Sequence, residues 1–217
     1  MKYRELGKTG LKASEISLGA EWIQGKTTEE VKEIISFCEK EGINLMDCWM
    51  SEPKVRSDIG LAIKDSRDKW IIQGHIGPIW QDNQYVKTRE MDKVIESFDD
   101  QMARLGTDYL DFGMIHFVDD IEEFKQIMNG EFIEYVRKLK NEGTIKHIGL
   151  STHHTKVALL ATEYEEIELI MFSINPAFDM VPGMTIEEIR EDGRFSEDFR
   201  GIDPERANFY QFVKIKT

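Results

Sequence analysis

Asp47 and His116 each close an apolar run, in GINLMDCW and LGTDYLDFGMIHF, at the point where a buried strand would end. In a parallel β/α protein the carboxyl ends of the strands face the ligand site. One ionisable residue there reads as a hydrogen-bonded strand cap; several on successive strands read as chemistry. His75 ends WIIQGH, and Glu52 lies just beyond the strand that carries Asp47. Histidine exchanges protons near neutrality. A carboxyl group can donate a proton only where burial or a neighbouring carboxylate, such as Asp47 beside Glu52, raises its pKa. Asp47, Glu52, His75 and His116 all fall at or just beyond strand ends and are candidate site residues. Imidazole with carboxylate is also a workable Zn²⁺ set, and His153 lies at a strand end too, so a metal-dependent hydrolase is an alternative. No HxH or HExxH pair supports it.

Such residues need a scaffold, and the chain has the material for one. Its 217 residues are 41% hydrophobic and 32% charged, enough for one α/β domain with a sizeable core. The net charge of −13 argues against nucleic acid, whose phosphates want clustered Lys and Arg. No stretch reaches the roughly 18 apolar residues of a membrane span. The start MKYRELGKTG has no apolar signal region, and only Cys38 and Cys48 are present, so a reducing cytoplasm is expected. Cys48 beside Asp47 is expected to be a buried reduced thiol.

The segments alternate strand and helix. YRELGKTGLKASEI, with Gly7, Thr9 and Gly10 at its turn, predicts a β-hairpin. ISLGA is a short strand ending near Gly19, and TTEEVKEIISFCEKEG is a helix capped by Thr27 or Thr28 and stopped by Gly42. INLMD, WIIQGHIG, YLDFGMIHF, HIGLST and IELIMFSIN continue the strands. VRSDIGLAIKD, a long helix from about Thr88 to Leu105, FIEYVRKLKNEG, TKVALLATEY and PERANFYQFVK supply the helices. Six β/α units in order predict one α/β domain over 1–217: a (β/α)8-type TIM barrel, incomplete, since a closed barrel takes about 250 residues. Two unpaired outer strands would then need cover from the acidic loop Asp179–Asp203 with its short helix TIEEIRE, from the terminal helix, or from a second copy of the chain. Trp22 and Trp49, each following a strand, can wall a substrate pocket or simply pack.

LGKTGLKASEISLGA, GINLMD, RLGTDYLDFGMIH and LKNEGTIKHIGLSTH, in that order over residues 3 to 153, resemble the aldo-keto reductase family. The resemblance implies carbonyl reduction with NADP(H), using an Asp, Tyr, Lys and His tetrad in which Tyr donates the proton. Asp47 takes the Asp position and His116 the His position. The Tyr position, five residues after the Asp, holds Glu52, and the Lys position, in QGH, holds His75. Two readings follow: Glu52, His75 and His116 run the proton chemistry with Asp47, or the tetrad has decayed and the chain is a non-catalytic barrel piece.

For the cofactor, the resemblance implies Gly19, Ala20, Asp47, Ser151 and Thr152. Ser151 and Thr152 stand where a Ser-Asn pair holds the nicotinamide amide, and Phe172 stands where a Gln is expected. A subgroup with QGH and MIHFVDD segments continues, as the resemblance implies, into a C-terminal iron–sulfur segment; two cysteines cannot ligate such a cluster. The chain resembles a shortened member, so NADP(H) binding is expected to be weak or absent. The implied partner is a small-molecule carbonyl substrate, with neither nucleic acid nor membrane.

Overall fold

Alternation and turn chemistry set the first element. In the computed structural model, which describes residues 1–174, β1 (Tyr3–Glu5) and β2 (Lys12–Ser14) form an antiparallel hairpin. A parallel strand β3 (Leu18–Gly19) then runs into a short 3₁₀ turn at Ala20–Ile23 and helix α1 (Thr28–Glu41). The next two units are β4 (Leu45–Cys48) with α2 (Pro53–Ile63), and β5 (Ile71–Ile76). Between β5 and its helix the chain inserts a second antiparallel hairpin, β6 (Pro78–Gln81) and β7 (Gln84–Lys87), before α3 (Met91–Leu105). The chain continues through β8 (Leu110–Ile115), helices α4 (Ile121–Met128) and α5 (Glu131–Glu142), β9 (Ile145–Thr152), α6 (Thr155–Ala161) and β10 (Ile167–Phe172).

The six parallel strands lie side by side in chain order, β3-β4-β5-β8-β9-β10. They are consecutive units of a (β/α)8-type barrel wall, as the strand–helix alternation predicts. All six residues of β5 and all six of β8 are buried, the mark of strands covered on both faces. The acidic loop, its short helix TIEEIRE and the terminal helix lie outside the described residues.

The N-terminal hairpin covers the end opposite the strand C-termini. Ala13 packs in a cluster with Ile71, Phe112 and Met114. Asn44, leading into β4, ties it down: its side chain accepts from Ser14 N–H at 2.7 Å and donates to Lys12 O at 2.9 Å. On the outer layer, α1 starts at a reciprocal cap. Thr27 Oγ1 accepts from the Glu30 N–H at 3.2 Å, and the Glu30 carboxylate accepts from the Thr27 N–H at 2.7 Å. Thr27→Ala removes that acceptor and is expected to lower stability by about 1 kcal/mol, read from urea unfolding. An unchanged midpoint would show that the cap does not matter to the folded state.

Two local expectations are corrected. The stretch between WIIQGHIG and the helix expected from about Thr88, to which no element is assigned from the sequence, forms a hairpin, and the helix starts at Met91. The signal for it is the pair Asp82-Asn83, at φ 52° and 58°, flanked by the alternating segments PIWQ and QYVK. The helical region after β8 is two helices, broken around Asn129 and Gly130. No helix among the described residues is long and apolar enough to cross a membrane.

Candidate active site

Parallel pairing brings the strand-end residues into register. Asp47 lies opposite Gln73 on β5, and His75 opposite Met114 on β8, so Asp47, His75 and His116 rise along one diagonal at the C-terminal edge. They join directly. Asp47 Oδ1 is 2.8 Å from His75 Nε2, and His75 Nδ1 is 2.8 Å from His116 Nδ1. The far nitrogen of His116, Nε2, is 2.7 Å from the Tyr85 hydroxyl, which descends from β7 on the inserted hairpin. The result is an unbroken line of four side chains from a buried carboxylate to a half-buried phenol.

The proton positions follow from the donor inventory. As a carboxylate, Asp47 only accepts, so His75 donates to it from Nε2–H. A neutral His75 then accepts at Nδ1 from the His116 Nδ1–H, and His116 Nε2 accepts from the Tyr85 O–H. Burial holds His116 neutral, pushing its pKa down to about 2, with His75, Arg89, Lys87 and His153 acting in the same direction. Burial also raises the Tyr85 pKa, against a lowering pull from Arg89, so the phenol keeps its proton at neutral pH.

The surroundings hold this line in place. Trp49 stacks on His116, with ring centroids 5.8 Å apart and planes 19° from parallel, and meets Tyr85 edge-on at 5.1 Å. Its indole N–H donates to Glu21 at 2.7 Å. Arg89 donates to the His116 carbonyl at 2.5 Å and ion-pairs with Glu123 at 3.0 Å. The next residue, Phe117, sits at φ 48°, a left-handed conformation costly for a bulky side chain. Its N–H donates to Ser151 Oγ at 2.8 Å and its carbonyl accepts from Lys87 at 3.2 Å, so the strain is imposed by neighbours on both sides.

The line opens onto a cleft of about 430 Å³. Its walls include Trp49, Tyr85, His116, Ser151, Thr152 and Phe172. Ser151 accepts from the Phe117 N–H and leaves its hydroxyl proton for a ligand, the described residues showing no acceptor for it. Thr152 is committed: it donates to Asp119 at 3.0 Å and accepts from the His154 N–H at 3.0 Å.

The other sequence-derived residues fall elsewhere. Glu52 is the residue preceding α2; its Oε2 is buried without a hydrogen-bond partner among the described residues, and it makes no hydrogen bond to Asp47, His75 or His116. Gly19 pairs beside Asp47 and is exposed, whereas Ala20 is wholly buried, closing its side chain to a cofactor. Trp22 is 78% exposed and stands away from the cleft walls that Trp49 helps to build. Cys48 is a buried free thiol whose pKa burial pushes up, with Asp47 adding to it. His153 pairs with Asp119 at 3.0 Å. Among the described residues no group of three or more His, Cys, Asp and Glu side chains is arranged to hold a metal. Tyr85 is the site residue that sequence reasoning missed, because the hairpin that carries it was missed.

Comparison with known proteins points one way. The model of the aldo/keto reductase family matches residues 15–190. An aldo-keto reductase of Bacillus subtilis, YhdN, is 30% identical over 161 residues, covering 70% of this chain and 47% of its own length. An NADH-specific methylglyoxal reductase of Escherichia coli is 25% identical over 190 residues, covering 78% of this chain and 58% of its own. Among solved structures, the holo form of aldo-keto reductase AKR11C1 from Bacillus halodurans superposes with a TM-score of 0.71 at 25% identity, over 81% of this chain and 58% of that one. This chain thus spans about half the length of the curated relatives it matches.

Proposed function

Because this chain belongs to the aldo/keto reductase family, we propose that its cleft carries out oxidoreduction between a nicotinamide dinucleotide and a small carbonyl compound or the corresponding alcohol, in a cytoplasmic setting. The observation that supports this most is the contact line from Asp47 through His75 to His116, which ends at the cleft wall. A bound nicotinamide would supply or accept the hydride. The residues present fit its amide end: the Ser151 hydroxyl can donate to the carboxamide, and Trp49, Phe117 and Phe172 give apolar walls for the ring. Asp47 and the two histidines can hold the proton that must reach the substrate oxygen in reduction, or leave it in oxidation, as the hydride is transferred at carbon. Glu52 makes no hydrogen bond to them, so Asp47, His75 and His116 are the proposed acid–base set.

NADP(H) is the proposed dinucleotide, and the proposed binding is weak. No lysine or arginine is among the described residues that line the cleft. Charge-assisted hydrogen bonds to phosphate are worth roughly 1.5–3 kcal/mol each, so affinity resting on the amide end forgoes several powers of ten. The test is titration with NADPH and with NADH, following tryptophan fluorescence, since Trp49 forms part of the wall. We expect quenching with a Kd of about 0.1–1 mM. Low-micromolar binding would refute the weak-binding half. No quenching by either dinucleotide up to about 10 mM would remove the redox reading and favour a non-catalytic barrel.

A further inference from the structure

We propose that Tyr85, carried on the β6–β7 hairpin, is the catalytic residue that exchanges a proton with the substrate oxygen, in place of the phenol that position 52 lacks. This rests on the redox reading above. Tyr85 is the one phenol among the described cleft-lining residues, it is half-buried, and its hydroxyl touches the end of the imidazole line at 2.7 Å. Trp49 meets its ring edge-on, with centroids 5.1 Å apart and planes at 81°, and so packs the ring in place beside His116.

The line has two polarities that differ by one proton. In the first, with Asp47 ionised and both rings neutral, the Tyr85 proton is directed to His116 Nε2, and the phenol oxygen presents lone pairs to the cleft. That state receives the O–H of an alcohol. Adding one proton makes His75 a donor at both nitrogens, to Asp47 and to His116 Nδ1. His116 then switches to its Nε2–H tautomer and donates to the Tyr85 oxygen, so the Tyr85 O–H is released toward the cleft. That state donates to a carbonyl.

The step balances in either direction. In reduction, the new C–H bond at the carbonyl carbon would take its electron pair from a bound dihydronicotinamide, which would be oxidised by two electrons as the carbonyl is reduced. The new O–H bond takes its proton from Tyr85 Oη. His116 Nε2–H then restores the phenol, His75 Nδ1–H restores His116, and His75 remains neutral with its Nε2–H on Asp47. Oxidation of the alcohol reverses each transfer.

The charged and titratable groups around the line come from every neighbouring element. Arg89 and Lys87, after and at the end of β7, both pair with Glu123 on α4. His153 follows β9 and pairs with Asp119. Glu21, in the 3₁₀ turn after β3, is held by Trp49, and Cys48 adjoins Asp47 as a buried thiol. Arg89, Lys87 and Glu21 thus each have a partner off the line, and the contact nearest the buried end of the line is Asp47 with His75 at 2.8 Å.

The test uses the full chain and needs no cofactor for its first readout. Tyrosine labelled with ¹³C at Cζ reports whether the phenol donates or accepts, and ¹⁵N-labelled histidine reports the tautomers; Tyr85→Phe assigns the Tyr85 signal. On acidification, the Tyr85 Cζ signal is expected to move in the same step as the His75 and His116 nitrogens, and His75→Gln is expected to abolish that movement. A Tyr85 signal indifferent to the imidazole step would overturn the proposal. The second readout is kinetic, with small aldehydes and millimolar NADPH. Tyr85→Phe should reduce carbonyl reduction at least about 10²-fold while leaving tryptophan quenching by NADPH within about twofold of the parent. If the parent chain turns over and Tyr85→Phe keeps more than about a tenth of the rate, Tyr85 is not the donor and the redox reading stands. If the parent chain reduces no aldehyde, the redox reading falls and this proposal with it.

Discussion

Asp47→Asn is expected to lower carbonyl reduction by about 10⁴, the loss seen when the carboxylate of a carboxylate–imidazole pair becomes an amide in a serine-protease triad. The side chains are nearly the same size, and Asp47 is buried at the end of β4, so the fold should survive. What changes is charge. The carboxylate fixes His75 with Nε2–H toward it and balances the imidazolium that forms when the line takes up its proton. An amide does neither. The Tyr85 hydrogen would then stay directed to His116 and away from a carbonyl oxygen. Burial first, and the neighbouring groups second, keep His116 neutral with a pKa of about 2, so that ring alone does not carry the extra charge. Steady-state rates of aldehyde reduction in the parent and in Asp47→Asn would show the loss. Loss of less than about tenfold would remove Asp47 from the mechanism.

Gly60→Ala should cost about 3 kcal/mol of stability. In an isolated helix the same change gains up to about 1 kcal/mol from backbone entropy, so the direction tests the packing. Gly60 lies within α2 where that helix meets the end of α3. A Cβ there would stand 2.1 Å from the Arg104 carbonyl oxygen and 3.0 Å from the Leu105 backbone. Backbone atoms cannot rotate aside as a side chain can, so the helices must separate along their whole contact. The same contact carries Arg56, which is buried and donates to the Ser97 carbonyl at 3.0 Å, so separation also strips a charged group of its partner. Urea unfolding should show a lower midpoint with a similar slope. A midpoint equal to or above that of the parent would mean that α2 and α3 do not touch there.

Much of the architecture was written in local patterns. Apolar runs ending in GINLMD, WIIQGH and GMIH, each followed by a helical segment, are enough to place Asp47, His75 and His116 at one edge of a parallel sheet. In-order parallel strands have no other way to end. The cap at Thr27 and the stop at Gly42 were likewise legible, because both depend on residues within one turn of each other. Tyr85 and Glu52 show where that logic stops. Glu52 lies five residues after Asp47, yet its carboxylate makes no hydrogen bond to the imidazoles and its Oε2 is buried without a partner among the described residues. Tyr85 reaches His116 across 31 residues only because the β6–β7 hairpin folds back over the strand ends. Spacing along a chain records which side chains share a strand or a helix face. It does not record where a hairpin lands, since that is set by contacts with Trp49 and His116, which exist only once the sheet has formed. The residue types for acid–base chemistry were therefore determined by the sequence itself. Which of them join, through which nitrogen, and with which phenol at the end of the line, only the tertiary structure decided, because a hydrogen bond demands about 3 Å and no linear pattern carries a distance.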